Sequence, residues 1–253
     1  MNSSKYYLIL VFLIAFLASN CGNPKISEKH KVPNQFANGS ALVSFMDFHL
    51  LALQDLDKSD SAYSDLAMLI NEELRKAVER INSQKLLREV YTAYDSNSHQ
   101  FSMSISDDAK IAVFSWDTGL EGAFPRIKNI ALYQKNKKVI PTSLYGKPLY
   151  FHEIHSIVSN NKRSYLLHGT NGKSNLYRLD AYSLNSGQLE QKAIFPDHKN
   201  SIKSAQDFNI EMDGSLIIIP EVKANSTKYH PLELKHNLHD SQYVEAQSLA
   251  DLH

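Results

Sequence analysis

Five stretches of the chain combine residue types that could do chemistry. His152-Glu153-Ile154-His155 sets two imidazoles beside a carboxylate, the donors a zinc ion takes. It lacks the helical spacing of His-Glu-x-x-His, and in a regular strand His152 and His155 project from opposite faces, so no metal centre is expected. His236-Asn237-Leu238-His239-Asp240 has a spacing better suited to a helix, but it opens a polar tail and is also not expected to hold a metal. Gly169-Thr170-Asn171-Gly172-Lys173-Ser174 imitates a phosphate loop, yet the position that needs the first glycine is Leu167, and the stretch joins two strands rather than a strand and a helix. It predicts a hairpin turn. Asp107-Asp108 has the carboxylates for acid–base work or Ca²⁺, but its place before an apolar run predicts a turn. Trp116-Asp117-Thr118-Gly119, with Gly122 and Arg126, is the one loop that gathers aromatic, acidic, hydroxyl and basic groups. Trp116, Asp117, Thr118 and Arg126 are therefore the binding candidates. The structural alternative puts Trp116 in the core, bonds Asp117 to loop amides and uses Gly119 for a positive φ.

There is no Gly-x-Ser-x-Gly elbow, and no catalytic residue or cofactor is assigned. The 27 basic and 27 acidic residues cancel, which gives no electrostatic footprint for nucleic acid. At 253 residues and 43% hydrophobic the chain can bury a sizeable core. Its single cysteine, Cys21, excludes an intrachain disulfide.

That cysteine ends a targeting pattern. Lys5 precedes an unbroken apolar run, Tyr6 to Ala18, too short to cross a bilayer comfortably but the length of a signal-peptide core. Leu17-Ala18-Ser19-Asn20-Cys21 resembles the lipobox of bacterial lipoproteins, with Asn20 where Gly or Ala is usual. The resemblance implies cleavage before Cys21, acylation of its sulfur and new amino group, and anchoring in the bilayer. Gly22, in place of the Asp that retains enterobacterial lipoproteins in the inner membrane, implies the outer membrane. The alternatives are an uncleaved anchor and an ordinary secretory signal.

Residues 1–20 thus read as a signal peptide and 21–40 as a lipidated tether rich in polar residues, Gly and Pro, with Asn38-Gly39-Ser40 taken as a loop. Residues 41–95 form a helical region. Tyr63, Leu66, Ala67, Ile70, Leu74, Ala77, Val78 and Ile81 recur at helical spacing, and Gln84 to Tyr94 continues as a third helix or an extension. Residues 96–236 form an antiparallel β region of short strands joined by polar turns. A loose repeat of four strands covers Phe101 to Leu144, Tyr150 to Phe195 and, shortened, Ile202 to Leu234. Residues 237–253 read as a polar C-terminal tail without a core role. The fold class is α+β: N-terminal helices, then hairpin repeats that are propeller-blade-like or sandwich-like. Three units are too few to close a propeller.

Ser106-Asp107-Asp108-Ala109-Lys110, followed by Phe114-Ser115-Trp116-Asp117-Thr118-Gly119 and the strand Ile130 to Gln134, is similar to a group of uncharacterised secreted proteins from Bacteroidota. They share a Ser-Asp-Asp-x-Lys … Ser-Trp-Asp-Thr-Gly core after N-terminal helices. The likeness spans about Ile70 to Leu184; Leu120-Glu121-Gly122-Ala123 stands where the group has Gly-Gly-Thr. It implies a shared fold and an envelope location, and no activity. The expected function is a cell-envelope lipoprotein acting as a non-enzymatic binding module, with an envelope protein or a glycan as partner. The alternatives are an envelope hydrolase acting on glycan or peptide through a non-contiguous site, and a purely structural envelope component.

Overall fold

The computed structural model describes residues 31–122, 125–144, 146–172, 176–211, 214–220 and 231–246. The signal-peptide segment and Cys21 lie outside them, as do Lys173 and Ser174 of the phosphate-loop imitation. From Pro33 onward the chain forms one compact unit. None of its described helices is long and apolar enough to cross a membrane.

Among the described residues three helices come first: α1 (Gly39–Gln54), α2 (Tyr63–Glu79) and α3 (Gln84–Ala93). Asn38 is not a loop residue but the N-cap of α1, its Oδ1 accepting from the Ala41 N–H at 2.9 Å. The helix therefore starts within the stretch assigned to the tether. A Cβ on Gly39 would lie 2.1 Å from the Glu89 carbonyl carbon, so only glycine lets α1 begin against the α3 backbone. Ser83 caps α3, which makes it a separate helix rather than an extension of α2. The periodic residues Ala67, Leu74, Ala77, Val78 and Ile81 are fully buried.

Three open antiparallel sheets follow, so the α+β class and the hairpin repeat are both present in the fold. The first sheet runs in order β1 (Phe101–Ile105), β2 (Ile111–Asp117), β3 (Ile127–Lys135), β4 (Lys138–Thr142). The second runs β5 (Tyr150–Ser159), β6 (Lys162–Thr170), β7 (Tyr177–Asn185), β8 (Gln188–Gln191), with β9 (Ser201–Ser204) also paired to β7. The third runs β10 (Asn209–Glu211), β11 (Leu216–Ile219), β12 (Leu232–Asn237), β13 (Gln242–Glu245). Asn136-Lys137, Asn160-Asn161 and Ser186-Gly187 all have positive φ, the two-residue geometry that matches strand twist in tight hairpins.

The third repeat unit is not shortened, and the tail is not free of the core. Gln242–Glu245 completes the third sheet, and Tyr243 is buried, stacked on Phe195 at 5.4 Å. The alternation is hidden because only Tyr243 of this four-residue strand faces inward. Strand β8 ends at Gln191, short of the expected Phe195, and β9 has no signal in its polar sequence.

The second sheet is covered on both faces. Ile111, Val113, Ala131 and Tyr133 of the first sheet pack with Phe151, Ile154, Tyr165 and Leu167. Ile217, Leu234 and Tyr243 of the third pack with Ile157, Leu166, Leu179 and Ala181. Between the first and second sheets a buried amide does the work of a strand ladder. Asn129 Nδ2 donates to the Leu149 carbonyl at 2.6 Å, and the Leu149 N–H donates to Asn129 Oδ1 at 3.0 Å. Ser115 Oγ accepts from the same Nδ2 and from the Phe151 N–H. The turn residue Asp108 makes a second tie. It accepts from Ser106 and the Lys110 N–H in its own turn, and from Tyr165 and Arg163 on β6. Burial by itself would raise its pKa, but these donors outweigh it and hold the carboxyl below 3.8.

Asn129→Leu will leave the Leu149 N–H and C=O without partners and cost about 2–4 kcal/mol, read from urea unfolding. Asp108→Asn will cost about 1–3 kcal/mol near neutral pH. Because the folded-state pKa lies below 3.8, wild type holds this advantage above that value and loses it as pH falls through and below it. The gap between the two proteins must shrink in acid; an equal gap at pH values well above and well below 3.8 would refute the assignment.

Candidate functional site

The loop gathered by sequence is built from its own groups. Trp116 is fully buried, and its indole N–H donates to Asn71 Oδ1 on α2 at 2.8 Å. Asp117 accepts from the Gly119 N–H at 2.9 Å and pairs with Arg126 at 3.0 Å. Thr118 Oγ donates towards the Pro125 and Arg126 carbonyls and accepts from the Leu120 N–H. Gly119 has φ +68°, and its carbonyl takes a hydrogen bond from Tyr63 on α2. The four candidate residues do come together, but their polar atoms close the loop and dock it on the helix. That leaves the solvent-facing Asp117–Arg126 pair as the part open to a partner.

A groove lies elsewhere, where the end of α3 and β1 meet β5. It encloses about 860 Å³ and is lined by Tyr91, Tyr94, His99, Phe101, Tyr150 and His152, among others. That volume falls within the range of small-molecule sites, which is about 300–1,000 Å³. Tyr91 is 48% exposed, so about half of its surface is open to solvent at the groove. Tyr94 is fixed by its hydroxyl, which donates to the Phe101 carbonyl at 3.1 Å, and His99 is fixed by Asp47 at 2.5 Å. The site is not legible in the sequence because its aromatics come from the end of a helix and from two strands far apart in the chain.

At one end of the groove His152 belongs to a second arrangement. The β5–β6 register runs Phe151↔Gly169 and then Glu153↔His168, so His152 is the extra residue of a β-bulge. The strict alternation that separates His152 from His155 fails at this point. The bulge also explains why Phe151 and Ile154, three residues apart, enter the same core. A Cβ on Gly169 would meet Phe151 Cδ1 at 2.8 Å, so the partner strand needs glycine opposite the bulge. Glu153, His155 and His168 then share one face, and the His152 ring centroid stands 4.4 Å from that of His168.

His168 is only 3% exposed. Its Nε2 lies 2.8 Å from Asp207 Oδ1 and its Nδ1 lies 3.5 Å from Glu153 Oε2, yet neither ring nitrogen makes an aligned hydrogen bond. Phe208 closes the ring edge-on at 5.6 Å. Burial, and then the nearby His152, lower the His168 pKa from its ordinary value against the pull of Asp207 and Glu153. Glu153 is bonded by His155 at 3.0 Å; burial opposes its ionisation, but the flanking His155 and His152 keep its pKa lowered. Two triplets could hold a metal ion, His152–His168–Asp207 and Glu153–His155–His168, each with ligand atoms within 4.8 Å of one another. His236 and His239 belong to neither.

The remaining buried charges are structural in form. Arg178 and Asp180, neighbours on one face of β7, pair at 2.6 Å, and the Arg178 guanidinium sits 5.9 Å over the Phe151 ring.

Compared with protein-family models, with curated proteins and with solved structures, the chain shows no match.

Proposed function

We propose that this chain is a lipid-anchored protein of the bacterial cell envelope, attached through Cys21, that works as a non-enzymatic binding module for a glycan. The open groove lined by Tyr91, Tyr94 and Tyr150 carries the binding part of this reading. Aromatic faces stack on the C–H faces of sugar rings, and Asp95, Ser96 and Gln100 on the same rim offer partners for hydroxyls. The lipobox-like end of the apolar run, with the only cysteine of the chain in its last position, supports the anchor. Acyl chains contribute about 0.8 kcal/mol per buried CH₂, and two chains suffice for stable attachment. The alternative of an envelope hydrolase draws on the His152 end of the same groove, where imidazole and carboxylate groups converge.

Cys21→Ala will abolish labelling by palmitate and move the protein out of the membrane fraction. Retention in the membrane together with an unlabelled wild type refutes the anchor. Purified sacculi will sediment the wild-type protein, and Tyr91→Ala, at an exposed position, will weaken that binding about tenfold or more. Equal sedimentation of variant and wild type refutes the groove, and release of soluble sugar from the sacculi selects the hydrolase.

A further inference from the structure

We propose that His152, His168 and Asp207 bind one divalent transition-metal ion, zinc in kind, with Glu153 holding His168 from its other ring nitrogen. Three observations converge on it. First, His168 is a buried imidazole whose two nitrogens lack aligned hydrogen bonds while carboxylates stand beside both. A buried polar group without partners is destabilising, and a metal on Nε2 with Nδ1–H turned to Glu153 would satisfy both atoms. Second, the bulge at His152 spends an irregular ladder position on bringing a second imidazole to this face. Third, Asp207 is oriented: its Oδ1, the atom nearest His168, accepts from the Phe208 N–H at 2.9 Å.

The donor set chooses the ion. Two imidazoles and one carboxylate suit zinc and its neighbours, whereas Ca²⁺ and Mg²⁺ take oxygen donors. Bonds of 2.0–2.1 Å in a tetrahedron place ligand atoms about 3.3 Å apart. The 2.8 Å between His168 and Asp207 and the 4.8 Å limit on the whole triplet bracket that value. His152 and Asp207 are both exposed, so side-chain adjustment is enough to close on the ion. Glu153, itself bonded by His155, is the outer carboxylate that fixes a ligating histidine's ring. Three protein ligands leave a fourth position for water on the exposed side, next to the groove that His152 also lines.

The test is titration of the full-length, detergent-solubilised protein with ZnCl₂, followed by calorimetry, and with CoCl₂, followed by visible absorption. One equivalent of zinc is expected to bind, Co²⁺ is expected to give the intense visible bands of tetrahedral coordination, and CaCl₂ and MgCl₂ are expected to give no heat. His152→Ala, at an exposed position that leaves the core intact, should weaken zinc binding at least 100-fold, and His168→Asn should abolish it. Glu153→Gln should weaken it by about 10–100-fold while keeping the cobalt spectrum, because it orients rather than ligates. Cys21→Ala should bind zinc as wild type does, which separates this site from a free thiol. The absence of a zinc equivalent overturns the proposal. So does binding that His152→Ala leaves unchanged, including the case in which His155→Ala abolishes it and places the ion on the other nitrogen of His168.

Discussion

Asn129 and Leu149 exchange two hydrogen bonds through a side-chain amide, in the place where a regular sheet would have a backbone ladder. The arrangement is forced by the stacking of sheets. Strand β5 starts a new sheet that must lie face to face on the first, so the main-chain groups at its beginning that point away from β6 have no strand ladder to join. Left bare and buried, each would cost about 1–3 kcal/mol. Asn supplies a donor and an acceptor at one position, and Ser115 and Ser102 satisfy the next groups, Ser115 accepting from the Phe151 N–H and Ser102 donating to its carbonyl. With this junction in place, the apolar faces of the first and second sheets close on each other, and the opposite face of the second sheet is left for the third.

The irregularity at His152 follows from the same stacking. Phe151 and Ile154 both enter the core between the first and second sheets, and a regular strand cannot place residues three apart on one face. The bulge resolves this by letting one residue drop out of register, and that residue is a histidine. The packing requirement and the clustering of His152, Glu153, His155 and His168 are thus one event in the backbone. Bulges re-aim side chains in this way, which is why they recur beside functional sites.

Several other deeply buried polar groups are matched. Trp116 meets Asn71, Arg178 meets Asp180, and Ser115 meets Asn129. Breaking a buried pair of the Arg178–Asp180 kind leaves one charge uncompensated and costs more than the intact pair contributes. His168 differs from these groups. It is as deeply buried, and its neighbours are close without being aligned.

The amino-acid sequence by itself determined the local elements. Helical periodicity placed α2 because Ala67, Leu74, Ala77, Val78 and Ile81 must share a face, and Asn- and Gly-containing turns placed the hairpins because positive φ is cheap only there. Ordered hairpins made the three-sheet repeat legible, and Asp108 was legible as a turn former. The end of the third sheet was not: Tyr243 is one inward residue in a polar segment, and its value depends on Phe195 arriving beneath it. The groove and the histidine cluster were decided only by tertiary structure. Tyr91, Phe101 and Tyr150 meet because β1 packs beside β5, and Asp207 meets His168 because β9 folds back on β7. The side of the strand on which His152 stands was set by a bulge that core packing imposes, and strand alternation in the sequence points the other way.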